Sequence, residues 1–203
     1  MAWTQPVPLV TLEVLQWNNT IITEDNNGSI WRVSLDGTAE RVVPGDGTIL
    51  RLRASPDGRL LATGNTNGRV IVYDTSNWAI VNNTVVSGSV RQLKFDPRNR
   101  DLLIASKNRS VQLIPIDHTR ILPWRDISVS ARDIVYSPDG EMIALVCADG
   151  SEWFYMIRNS QWVYVRDHQF DAQTGVFSFD GSLFASIDSR GVVTIRDMMT
   201  TFD

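Results

Sequence analysis

The chain predicts an all-β protein made of five copies of one four-stranded unit. Three observations carry that prediction. A Ser-Pro-Asp-Gly turn, an apolar run and a second tight turn recur at a fixed interval. The segments between turns are short and rich in β-branched, leucine or aromatic residues. Apolar residues at helical spacing are nowhere sustained.

The interval is 41 residues: Ser55, Asp96, Ser137 and Ser178 stand in phase, and each opens a turn containing Gly58, Asn99, Gly140 or Gly181. The second turn keeps the same beat through Gly68, Arg109, Gly150 and Gly191. Gly28 precedes that series by 40 and marks a further unit at the start, whose first turn is shortened to Trp17 to Thr20. Proline presets φ in the first turn, while Asn67-Gly68 and Asp149-Gly150 supply the positive φ that two-residue hairpins need.

Within the second unit the four strands read Ile49 to Ala54, Arg59 to Gly64, Arg69 to Asp74 and Ala79 to Val85. Trp31, Tyr73, Trp153, Phe154 and Tyr155 fall in third strands, and Trp78 and Trp162 begin or enter fourth strands. Such bulk suits sheets buried on both faces. Four-stranded sheets repeating at this period predict a five-bladed β-propeller of antiparallel blades, in a single domain spanning 1–203. The blades are expected at about 11–44, 45–86, 87–127, 128–169 and 170–203, with 1–10 completing the last. Ala2 to Val10 is thus expected to pair as the outer strand of the final blade, where Pro6 and Pro8 are tolerated at an edge. A longer propeller, or a ring completed by a second copy, is the competing arrangement.

The stretch "SPDGRLLATGNTNGRVIVYD", Ser55 to Asp74, resembles the WD-repeat family, with Tyr73-Asp74 at the place of the family's Trp-Asp pair. Arg196-Asp197 stands at the same place in the last unit. The likeness extends over nearly the whole chain, strongest in the second, fourth and fifth units. The family's Gly-His opening is missing and only His118 and His168 occur, so an Asp-His-Ser-Trp network cannot recur in every blade. Stability is therefore expected to rest on apolar burial and strand pairing. The resemblance implies a scaffold that binds a protein or peptide through its top face and channel mouth, with no cofactor and no metal.

With 19 basic against 23 acidic residues and a formal charge of −4, no global attraction to nucleic acid or to an anionic membrane is expected. The start has no basic segment leading into an apolar one, so a cytoplasmic location and a monomer are the expectations. Cys147 is the only cysteine and sits in an apolar run, which reads as a packed thiol.

First strands, as the innermost, are expected to line the channel. There Arg53 and Lys94, Arg51, and Arg91 and Arg132 occupy matching places of the second to fourth units. These cations read either as channel-lining ion-pair partners of Asp133 and loop acids, or as a basic funnel for an anionic ligand or acidic peptide. Lys107, Arg109 and Arg190 lie in second-to-third-strand loops, and Trp124 and His168 in irregular segments between units, which makes them further binding candidates. A pocket-bearing propeller that binds a small ligand or carbohydrate is the alternative reading. A glycosidase is the lesser one, because only Glu13 and Asp133 are acids on innermost strands. No metal, nucleotide or serine-hydrolase motif is present in the sequence, so the chain is read as no enzyme.

Overall fold

In the computed structural model the described residues are 9–15, 20–45, 47, 49–116, 126–166 and 168–200, with side chains from 20 onward except at Asp126. Every regular element among them is a β-strand. β1 (Leu9–Leu15), β2 (Thr20–Asp25), β3 (Ile30–Val33) and β4 (Ala39–Val43) form one antiparallel sheet in that order. β5 (Ile49–Ala54), β6 (Leu60–Asn65), β7 (Arg69–Asp74) and β8 (Ile80–Val85) repeat it.

The third sheet, ordered β12-β11-β10-β9, is built from β9 (Val90–Phe95), β10 (Asp101–Ser106), β11 (Val111–Pro115) and the short β12 (Asp126–Ile127). A fourth comprises β13 (Ala131–Tyr136), β14 (Met142–Cys147), β15 (Ser151–Met156) and β16 (Gln161–Arg166). The last has β17 (Ala172–Phe177), β18 (Leu183–Asp188) and β19 (Val193–Asp197). These are five propeller-like blades, grouped in two compact units, Met1–Leu93 and Lys94–Asp203.

Positions that are equivalent in the sequence occupy the same rung of each ladder. Leu60 faces Asp74, Asp101 faces Pro115, Met142 faces Met156 and Leu183 faces Asp197. The first turn explains why. Ser55 Oγ donates to Asp57 Oδ1 at 2.7 Å and accepts the Leu60 N–H at 2.9 Å, while Asp57 Oδ1 accepts the Arg59 N–H. Ser137 with Asp139 and Ser178 with Asp180 repeat these three bonds. In the third unit Asp96 takes the serine's place, accepts the Arg98 N–H and ion-pairs with Arg100. These bonds fix the hairpin geometry and thereby the register.

The second turn has its own rule. Asp25, Asn65 and Asp188 each end a second strand and accept two backbone N–H groups, two and four residues ahead. Gly28, Gly68 and Gly191 then take positive φ, of 76°, 81° and 84°.

The middle strands are sandwiched. All six residues of β10 are buried, as are the last five of β6 and of β14, while the fourth strands β8 and β16 have no fully buried residue. In the second unit Phe154 and Phe184, both fully buried, meet edge-on at 5.1 Å between the fourth and fifth sheets. Tyr136, Ile143 and Tyr155 pack against Leu103, Val111 and Leu113 of the third sheet. In the first unit Ile22 and Ile30 pack on Leu52, Leu61 and Tyr73. Each fully buried aliphatic or aromatic side chain contributes about 1.5–3 kcal/mol, so these contacts hold sheet to sheet.

Residues 2–8 of the expected closing strand lie outside the described residues. Its last two, Leu9 and Val10, open β1 instead: Leu9 pairs with Asp25 of β2, and an irregularity between Leu9 and Leu12 lengthens the strand. The Trp17 to Thr20 turn is described only at Thr20. Trp78 does not begin the fourth strand. It sits at φ 61° in the turn ahead of β8.

Candidate functional site

The first strands β5, β13 and β17 carry an irregularity that strict alternation does not predict. Between Ile49 and Arg51, between Ala131 and Asp133, and between Ala172 and Thr174, pairing with the second strand slips by one residue. A bulge of this kind leaves one residue off the ladder and re-aims its neighbours. β9 and β13 share one burial pattern, in which two half-buried residues stand between buried ones. The bulge thus places Arg132 beside Asp133, rather than on opposite faces.

In the first unit this geometry gathers cations. Arg51 donates Nε–H to the Arg91 carbonyl at 2.5 Å and Nη1–H to the Leu50 carbonyl at 2.6 Å; Arg53 donates to the Leu52 carbonyl at 2.8 Å. All three side chains are half-buried. Burial, then the charges of Arg53 and Arg91, lowers the Arg51 pKa from its ordinary value. Arg51 and Arg53 thus stand as neighbouring cations on β5, each donating to a backbone carbonyl.

In the second unit the matching arginine is neutralised. Arg132 forks onto Asp171, Nε to Oδ1 at 3.2 Å and Nη2 to Oδ2 at 2.6 Å. Asp133 accepts from Thr174 Oγ1 at 2.6 Å and from the Gly175 N–H at 3.4 Å, which ties β13 to β17. One and two repeats before Asp171 the sequence has Ser130 and Ser89, not acids. Lys94 is half-buried on β9.

The loop candidates separate. Lys107 and Arg109 are exposed, with Arg109 at φ 60°. Arg109 also lines a cavity of about 380 Å³ together with Ser130, Ala148, Asp149 and Trp153. The Trp153 ring meets Trp162 and Tyr164 edge-on at 6.2 and 5.0 Å. Arg190 lies over the Phe170 ring at 3.5 Å, a cation–π contact within the last unit. Trp124 lies outside the described residues, as does the side chain of Glu13.

His168 is buried rather than displayed. Its Nε2 is 2.7 Å from Ser186 Oγ and 3.5 Å from Glu152, and its Nδ1 is 3.7 Å from Asp188. Arg196 closes the group at 3.7 Å from Glu152. His168 is thus hydrogen-bonded to Ser186, with the charged groups of Asp188, Glu152 and Arg196 gathered around the pair. These side chains hold strands β15, β18 and β19 around the segment after β16.

Two buried carboxylates break the pattern of their positions. Glu152 stands where the other units have Ile30, Val70, Val111 and Val193. Glu24 stands where they have Gly64, Ala105, Val146 and Ile187. Glu24 is 1% exposed, and its Oε2 has no hydrogen-bond partner. Burial, helped by the neighbouring Asp25 charge, pushes its pKa up from 4.5 to about 7. Cys147 is buried and its thiol is pushed up to about 11, mainly by burial, which suppresses the thiolate.

Residue-level reading missed the bulges and both carboxylates. Consecutive polar pairs, Arg91-Gln92, Arg132-Asp133 and Gln173-Thr174, were the available signal for the bulges. Column-wise comparison of the units exposes the two glutamates.

Compared with known families, residues 37–74 match the model described as WD domain, G-beta repeat. That segment holds β4 through β7, including the Ser55 turn and Tyr73-Asp74, the stretch that carried the resemblance. The segment from β4 of the first sheet to β7 of the second is thus similar to a WD repeat. Repeats of this family are typically parts of non-catalytic scaffolds for protein interaction. No curated protein matches the chain significantly. No helix among the described residues is long and apolar enough to cross a membrane.

Proposed function

We propose that the protein is a non-catalytic interaction module that captures an acidic segment of a partner protein on the inner strands of its first unit. One observation carries the reading: Arg51, half-buried, donates to the Leu50 and Arg91 carbonyls beside Arg53, and burial, then the charges of Arg53 and Arg91, lowers its pKa. Arranging like charges in this way costs stability, and an incoming carboxylate offsets that cost. Guanidinium forks match carboxylate geometry, and charged hydrogen bonds of this kind contribute about 1.5–3 kcal/mol each. Repeated sheets supply a rigid mount, which lowers the ordering cost of binding.

The test uses a fluorescent oligoglutamate peptide as probe, with oligolysine as control. Replacing Arg51 and Arg91 by alanine is expected to weaken oligoglutamate binding by at least about tenfold, the effect of losing one charged hydrogen bond. Arg132→Ala, whose side chain is engaged with Asp171, should change affinity little. Equal losses from both variants would place the anion elsewhere.

A further inference from the structure

The sequence holds five methionines, and all of those after Met1, namely Met142, Met156, Met198 and Met199, line one cavity. The cavity measures about 330 Å³ and lies between the first turns of the fourth and fifth sheets, within Lys94–Asp203. Met142 pairs with Met156 across β14 and β15, and it packs on the cluster that contains Met198. Met156 and Met198 are each 5% exposed, Met142 is half-buried and Met199 is 72% exposed, so the thioethers run from floor to lip.

The repeat explains the cavity but not its lining. In the second sheet the matching place, about 500 Å³, is lined by Asp57, Arg59, Asp74, Thr75 and Ser76, with no methionine. Asp74 there accepts the N–H and the Oγ–H of Ser76, which caps the turn ahead of β8. Two repeats later Met156 stands in the place of Asp74 and can accept neither bond. Glu141 likewise stands in the place of Arg59, which lies 3.9 Å from Asp57.

The rim is accordingly acidic. Asp139, Glu141 and Asp180 stand against Arg158. Glu141 ion-pairs with Arg98, whereas Asp139 and Asp180 have no such partner among the described residues. Ser137 Oγ and the Glu141 N–H donate to Asp139 Oδ1, and Ser178 Oγ, Ser182 Oγ and the Ser182 N–H donate to Asp180 Oδ1. Oδ2 of each carboxylate is left without a hydrogen bond among the described residues. The Ser178 hydroxyl, then Ser182, holds the Asp180 carboxyl down to about 2, so its charge persists to low pH.

We propose that this cavity binds a basic, apolar segment of a partner protein. An aliphatic side chain of the segment enters over the methionines while a neighbouring lysine or arginine meets Asp139 and Asp180. Unbranched, polarisable thioethers adapt to apolar side chains of differing shape. Ammonium or guanidinium donors make charged hydrogen bonds to the open carboxylate oxygens. The volume is at the lower end of the roughly 300–1,000 Å³ of ligand cavities, which suits a single anchoring side chain. The site is separate from the arginines of the first unit and selects the opposite charge.

The experiment follows the methionine methyl resonances of the full chain, labelled with carbon-13, during titration with an alternating leucine–lysine peptide. Oligolysine and an alternating leucine–glutamate peptide are the controls. The methyls of Met142, Met156, Met198 and Met199 should shift with the leucine–lysine peptide. Asp139→Asn combined with Asp180→Asn keeps the oxygens that accept the turn bonds and removes both charges. It should weaken the leucine–lysine peptide at least about tenfold, the effect of losing one charged hydrogen bond. Asp57→Asn, the same change at the polar counterpart, should leave affinity unchanged. Unshifted methyls at these four methionines overturn the proposal, as does full affinity in the double variant, or equal binding of oligolysine or of the leucine–glutamate peptide. The methyl readout on the wild type holds even where a variant fails to fold.

Discussion

Glu24→Gln should stabilise the protein at neutral and alkaline pH and flatten its pH dependence. Glu24 is buried two residues after Ile22 on β2 and opposite Ile30 of β3, at a position that is glycine or aliphatic in every other unit. Its carboxyl, at 4.5 when solvated, moves to about 7 in the fold, with burial the larger cause and Asp25 the smaller. The folded state therefore holds the proton more tightly than the unfolded chain. Below 4.5 both states are protonated and the full stability is present. As pH rises from 4.5 towards about 7 the unfolded chain ionises first, and stability falls. Above that window both states are ionised and the loss is complete, at about 3 kcal/mol if each pKa unit counts for 1.36 kcal/mol.

Glutamine keeps the shape without the charge. Part of that gain is offset by its own buried amide, so an increase of about 1–3 kcal/mol at pH above 7 is expected. Urea unfolding of both proteins through the window measures the difference directly. Parallel stability curves for wild type and variant would show that Glu24 is not the titrating group, and the burial argument would fail.

Phe154→Ala removes a fully buried ring that meets Phe184 at 5.1 Å and should cost about 3–5 kcal/mol. A double-mutant cycle with Phe184 should return about 0.5–1.5 kcal/mol of coupling, and no coupling would deny the ring contact. Cys147, its thiol near 11 and its side chain buried, should react with iodoacetamide in the native protein far more slowly than in urea at the same pH. Comparable rates would mean that the strand opens or the thiol is ionised.

The period of 41 residues made the sheets legible before any coordinates. A Ser-Pro-Asp-Gly turn closes through bonds between neighbours in sequence, as Ser55 and Asp57 show, so the residues that specify it stand side by side. Register followed from the turns, and the rungs at Leu60, Asp101, Met142 and Leu183 agree with it. The candidate cations on first strands were likewise visible, since the phase of the repeat alone put Arg51, Arg91 and Arg132 on inner strands.

Which of those cations is paired is decided between sheets. Arg132 meets Asp171, 39 residues away, while Arg51 donates to the carbonyls of Leu50 and Arg91. His168 looked like a loop residue and is enclosed by Ser186 and Asp188 of β18 and Glu152 of β15. Local hydrogen bonds and strand alternation are written in short runs of residues, so the sequence by itself determined the units, their turns and their all-β character. Charge pairing and the burial of Glu24 depend on which surfaces meet, and only the tertiary structure decided those, because desolvation and Coulomb energies are set by neighbours in space.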